Sequence, residues 1–134
     1  MTLFLPAKNK NKYRAKGVMV DGVYFHSTGE ANRWQELQLL ERNKDITELK
    51  RQVKFILEVN GYIVTTTKVD FTYREKGFLI IEDYKGFITE DAKLRLLLLY
   101  AIYVYNPLLE TNLVKLRIST KKGVFNVGED GYEL

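Results

Sequence analysis

The chain has 134 residues, 46% hydrophobic and 28% charged, with a formal net charge of +4, no cysteine and a single histidine, His26. That is enough chain for one domain with its own core. It excludes a disulfide framework, thiolate metal sites, a cysteine nucleophile and a histidine-rich metal centre, so any metal must be held by oxygen ligands, which favours magnesium or manganese.

Residues 1–16 read as a basic arm on a single domain spanning 1–134. Lys10, Lys12, Arg14 and Lys16 fall here with no acidic residue among them. Such an arm suits a polyanion, or it is a solvated terminus. Its opening residues lack the apolar core and cleavage site of a signal peptide. The longest apolar run, Leu96 to Tyr105, is about half the length that crosses a bilayer. The expected location is cytoplasmic (the host cytoplasm for a phage-encoded protein), with no membrane partner.

Val18–Val20 and Val23–Phe25 flank Asp21-Gly22, a strong hairpin signal. Ser27 then caps a predicted helix, with Glu30 three residues on, where a capping-box partner belongs. Ala31, Trp34, Leu37 and Leu40 give that helix its apolar stripe, which fades at Asn43-Lys44. Glu30 lies at the end of this core-facing stripe. It either closes the cap or is pushed toward a sheet.

Alternation from Leu49 to Val59 predicts a half-buried strand, and Asn60-Gly61 turns it back into Tyr62–Thr67. Strands Lys68–Tyr73 and Phe78–Lys85 follow, joined at Lys76-Gly77. A second helix is expected from Glu90 to Tyr105, with acids in its first turn and Pro107 beyond its end. Leu113–Ile118 reads as the last strand, followed by a turn and a short tail. The element order is that of an α/β protein with a mixed sheet.

The chemistry concentrates in residues 68–86. If Lys76-Gly77 is a two-residue hairpin loop, Asp70 lies directly opposite Asp83. Facing side chains are about 4.5–5.5 Å apart at Cβ, and like charges there are destabilising. A divalent cation between them would turn the penalty into an asset. Parity puts Lys85 on the face of Asp83 and turns Glu82 away, so Glu82→Gln should be mild. Asp83 and Lys85 also fit a plain surface ion pair, and Asp-x-Lys is a common tripeptide.

Taken together, Phe25-His26-Ser27-Thr28-Gly29-Glu30 opening a helix, Gln52-Val53-Lys54-Phe55, Val69-Asp70-Phe71, Ile81-Glu82-Asp83-Tyr84-Lys85-Gly86 and the following helix with Lys93 resemble the PD-(D/E)xK nuclease superfamily. More closely, they resemble small phage endonucleases related to Holliday-junction resolvases. The likeness covers roughly residues 13–118, with Val69 where the superfamily's name has proline. It implies a restriction-endonuclease-like core, a central mixed sheet flanked by helices. It implies Mg²⁺, with Mn²⁺ substituting, held by Asp70, Asp83 and the Tyr84 carbonyl. Glu30 would reach the same site directly or through water, and Lys85 would assist the nucleophile. Lys10, Lys12, Arg14, Lys16 and Lys93 are the expected DNA contacts.

The activity implied is Mg²⁺-dependent endonucleolytic cleavage of branched DNA by a homodimer. The alternatives are a nuclease for flaps, ends or a defined duplex sequence, and a non-catalytic basic DNA-binding module. The dimer has a second argument. The second helix is apolar nearly all round, and residues 119–134, polar and glycine-rich, are a poor cover for it, whereas the same helix of a second copy would cover it.

Overall fold

The computed structural model describes residues 17–105, 113–129 and 131–134. Lys10, Lys12, Arg14, Lys16 and Pro107 lie outside the described residues. The elements are β1 (Val18–Val20), β2 (Val23–Phe25), α1 (Thr28–Arg42), β3 (Thr47–Val59), β4 (Tyr62–Glu75), β5 (Phe78–Tyr84), α2 (Glu90–Leu99) with a π-helical continuation over Tyr100–Val104, β6 (Val114–Thr120) and β7 (Gly123–Asn126). This is an α/β architecture. A five-stranded sheet runs β3-β4-β5-β6-β7, and β1-β2 forms a separate ribbon. The sheet is mixed because β5 and β6 are parallel while the other neighbours are antiparallel. The parallel pair needs a crossover, and α2 provides it.

Three hairpins use one chemistry. Asp21-Gly22, Asn60-Gly61 and Lys76-Gly77 each place two consecutive residues at positive φ (51 and 79°, 51 and 84°, 49 and 86°). That is the turn whose twist matches paired strands, and glycine is the residue that adopts its second position without strain.

Each face of the sheet carries a core. On one, Leu37 of α1 packs with Phe71, Tyr73 and Ile80, and Trp34 stacks on Phe71 at 5.9 Å. On the other, Leu96 and Leu99 of α2 pack with Leu57, Val69, Ile81, Leu116 and Ile118. Val69 and Phe71 are two apart and should share a face, yet they belong to opposite cores, as do Val53 and Leu49 on the neighbouring strand. Both strands change face at one place. Gln52 lies opposite Asp70 in the register set by Arg51↔Phe71 and Val53↔Val69, and its φ is +53°. A left-handed residue inside a strand reverses the alternation and interrupts the ladder.

Several expectations need correction. The predicted strands Tyr62–Thr67 and Lys68–Tyr73 are one 14-residue strand, because pairing with β3 continues from Thr65 through Val69 without a break. The second helix is α-helical only to Leu99. Its last turn widens, with the Tyr105 N–H donating to the Tyr100 carbonyl at 2.8 Å, and this redistributes the apolar side chains around the axis.

The C-terminal segment is no loose tail. β7 pairs with β6, Val127 is buried, and Tyr132 and Leu134 pack on the α2 core. It therefore covers much of the surface that the sequence left for a second copy. Leu94, Leu97 and Tyr105 stay exposed. No helix among the described residues is long and apolar enough to cross a membrane.

Candidate active site

The Lys76-Gly77 turn sets the register of β4 on β5, and the ladder runs from Glu75↔Phe78 to Phe71↔Glu82. The next pair is Asp70 and Asp83. There the side chains take over from the ladder: the Asp70 N–H donates to Asp83 Oδ1 at 3.1 Å, and the Tyr84 N–H donates to Asp70 Oδ2 at 2.8 Å. The two carboxylates thus face each other as the sequence predicts, and each is aimed by the other strand's backbone. Lys85 Nζ reaches Asp83 Oδ2 at 3.0 Å, so the Asp-x-Lys pair does share a face.

Asp83 is only 6% exposed. Burial, and then the Asp83 charge beside it, push the Asp70 carboxyl up to about 9. Gln52 Nε2 donates to Asp70 Oδ1 at 3.3 Å from the strained position on β3. Nothing in the sequence around Gln52 marks it for this contact. A two-residue Asn60-Gly61 loop alone would set Gln52 opposite Val69. The register shift between Leu57 and Glu58 moves it onto Asp70, and such a bulge has no sequence signal here.

Glu30 arrives from α1. Ser27 caps this helix by accepting from the Glu30 N–H at 3.2 Å, but the Glu30 carboxylate does not close a capping box. It is 6% exposed, and its Oε2 is buried without a hydrogen-bond partner among the described residues. Burial is the main cause of its raised pKa and Asp83 adds to the rise, while His26, Arg51 and Lys85 oppose it. Glu30 therefore feels both Asp83 and Lys85. Even so, no group of three or more acidic or histidine side chains close enough to hold a metal occurs among the described residues. Lys93 lies on α2, one turn before the buried Leu96, and is half-buried.

One turn along α1 from Glu30, Arg33 fixes the helix to β5. Its Nε and Nη2 donate to the two carboxylate oxygens of Glu82 at 2.6 and 2.9 Å. Tyr73 Oη also donates to Glu82, and Arg117 bonds both Tyr73 Oη and Glu75. Parity rightly turned Glu82 away from the carboxylate pair. Glu82 is fully buried in an ion-pair network, so Glu82→Gln touches the hold of α1 on β5 rather than the carboxylate pair.

The donor set suits a hard divalent cation that keeps most of its waters: two opposed carboxylates, a neighbouring backbone carbonyl at Tyr84, and no soft ligand.

Neither a curated protein nor a solved structure matches the chain. Residues 10–116 match the family described as "Protein of unknown function (DUF1064)", a match that takes in Glu30, Asp70, Asp83 and Lys85, and the chain belongs to that family.

Proposed function

We propose that this protein is a metal-dependent DNA endonuclease with a restriction-endonuclease-like core, and that Asp70, Asp83, Lys85 and Glu30 form its active site. The observation that carries the reading is the Asp70–Asp83 pair. Two carboxylates are held face to face by backbone N–H groups, at a ladder interruption that puts Gln52 in a strained conformation. Backbone strain and a carboxyl group pushed this far up cluster at functional sites. A purely structural role gains nothing from them.

A divalent cation, Mg²⁺ or Mn²⁺, would supply charge neutralisation at a phosphodiester and acidify a water molecule. Asp70 and Asp83 would hold it, with the Tyr84 carbonyl beside them. Lys85, anchored by Asp83, donates a hydrogen bond to the attacking water or to a phosphate oxygen, and so orients the one or stabilises charge on the other. Glu30 orients a water at the edge of the pair. Gln52 keeps Asp70 turned toward Asp83.

Branched DNA is the substrate class we favour, and with it a symmetric dimer, since a four-way junction needs two cuts related by a two-fold axis. Leu94, Leu97 and Tyr105 are the apolar surface on the second helix left for such pairing. The test is cleavage of labelled junction, flap, duplex and single-stranded DNA with Mg²⁺. Cutting of the junction above the others supports the reading, cutting of flaps or duplex alone reassigns the substrate, and binding without cutting of any DNA favours a non-catalytic module.

A further inference from the structure

A groove of about 530 Å³ opens between the N-terminus of α1 and the β6–β7 turn, bordered by Thr28, Gly29, Tyr84, Ser119, Lys121 and Lys122. Four features make it a receptor for an anion. First, Thr28 and Gly29 open a 15-residue helix whose cap satisfies only the Glu30 N–H. The N–H groups of the first turn have no partner within the helix and carry its positive end. Second, the Ser119 hydroxyl is buried with no hydrogen-bond partner among the described residues, in a side chain 1% exposed. Ser119 shares strand parity with Arg117, which bonds Tyr73 and Glu75 on the α1 side, so its hydroxyl faces the groove.

Third, Lys121 and Lys122 stand exposed on the turn with no ion pair among the described residues. The other charges are internally compensated: Arg33 is bonded to Glu82 and to Glu36. Fourth, the groove is shaped by a glycine. A Cβ on Gly29 would lie 1.9 Å from Tyr84 Oη, so glycine there lets the Tyr84 ring close against the first turn of the helix and form the groove's wall.

We propose that this groove is a phosphate-binding subsite that seats a backbone phosphate of DNA flanking the bond to be cut. The proposal rests on the nuclease reading for the identity of the strand. Two features tie the groove to the Asp70–Asp83 pair. Tyr84, on its wall, is the residue between Asp83 and Lys85, and Gly29 precedes Glu30. A strand lying across the end of β5 would therefore meet the carboxylates on one side of Tyr84 and the groove on the other. One phosphate contact with lysine lowers the slope of log K against log salt by about 0.9.

The test is binding of fluorescent duplex and junction DNA to the full chain in EDTA across a salt series, with Mg²⁺ cleavage measured separately. Lys121→Ala/Lys122→Ala should flatten the salt slope by about one. Lys44→Ala/Lys76→Ala, at the opposite end of the sheet, should leave it unchanged. Ser119→Ala should weaken binding about tenfold at constant slope, as loss of a hydrogen bond to a charged group does.

Wild-type slope and affinity in both groove variants overturn the proposal, as does absence of DNA binding. Inorganic phosphate that raises the melting temperature through Ser119, while DNA affinity is indifferent to Ser119, also overturns it and makes the ligand a free phosphoryl group. A groove-dependent slope without any Mg²⁺ cleavage supports the subsite and refutes the nuclease. Cleavage with an unaltered slope does the reverse.

Discussion

Glu82 and Asp83 are neighbours on β5 and both are buried, yet their surroundings are opposites. Glu82 meets the Arg33 guanidinium with both oxygens and takes a further bond from Tyr73, whose hydroxyl is bonded by Arg117. Every charge there has a partner. Asp83 meets a second carboxyl group instead, and one ammonium, that of Lys85, bonded to Asp83 alone. A network that is fully satisfied holds a helix on a sheet. A pair in which burial and a neighbouring carboxylate hold one carboxyl protonated up to about pH 9 would give up that proton to a cation arriving from outside. One strand thus carries a structural face and the face on which we propose the chemistry, and the alternation of side chains separates them.

The contrast can be broken by mutation from either side. The largest effect is expected at the reactive face. Asp70→Asn or Asp83→Asn should lower Mg²⁺-dependent cleavage by about a thousandfold or more, while DNA binding is kept. Competition binding beside single-turnover cleavage checks this. Next is the structural face. Arg33→Ala strands the buried Glu82 carboxylate, and breaking a buried pair from one side costs about 3–5 kcal/mol. Urea unfolding should show that loss in the absence of any DNA, and a midpoint equal to wild type would mean that the network is not what holds α1.

A third expectation concerns pH. The Asp70 carboxyl stands at about 9 in the folded protein against about 3.9 when unfolded. The folded state therefore binds the extra proton. Its contribution to stability is full below about pH 4 and is lost as pH rises toward about 9. In EDTA the melting temperature should fall across that window, and Asp70→Asn should flatten the fall. An unchanged pH profile in Asp70→Asn would show that the pair is not under charge strain. The smallest effect is expected from Gln52→Ala, which removes one hydrogen bond to Asp70 worth about 1 kcal/mol. Cleavage should drop about fivefold with folding intact.

The reactive face was the more legible of the two in the sequence. Lys76-Gly77 dictates a two-residue turn, the turn dictates the register, and the register sets Asp70 on Asp83. Ser27 and Glu30 mark the start of α1, and strand parity separates Glu82 from Asp83. What stayed hidden depends on tertiary contact. The Leu57–Glu58 bulge moves Gln52 by one position, and only then does it meet Asp70. Arg33 reads as a polar helix residue until β5 lies beneath it. β7 is four residues long and pairs only because β6 presents an edge. Val127, Tyr132 and Leu134 look like tail residues until they find the α2 core. Short elements and long-range ion pairs owe their stability to surroundings that local pattern does not contain.

On the proposed reading, the Asp70–Asp83 pair receives a divalent cation for cleavage of DNA. The most direct test is the melting temperature of wild type and Asp83→Asn with increasing Mg²⁺ or Mn²⁺, run beside cleavage of a labelled four-way junction. A ligand that binds only the folded state must raise its stability. The account predicts a metal-dependent rise for wild type, none for Asp83→Asn, and cleavage confined to the protein that shows the rise. Equal responses of the two proteins to metal, or cleavage by Asp83→Asn at the wild-type rate, would contradict it.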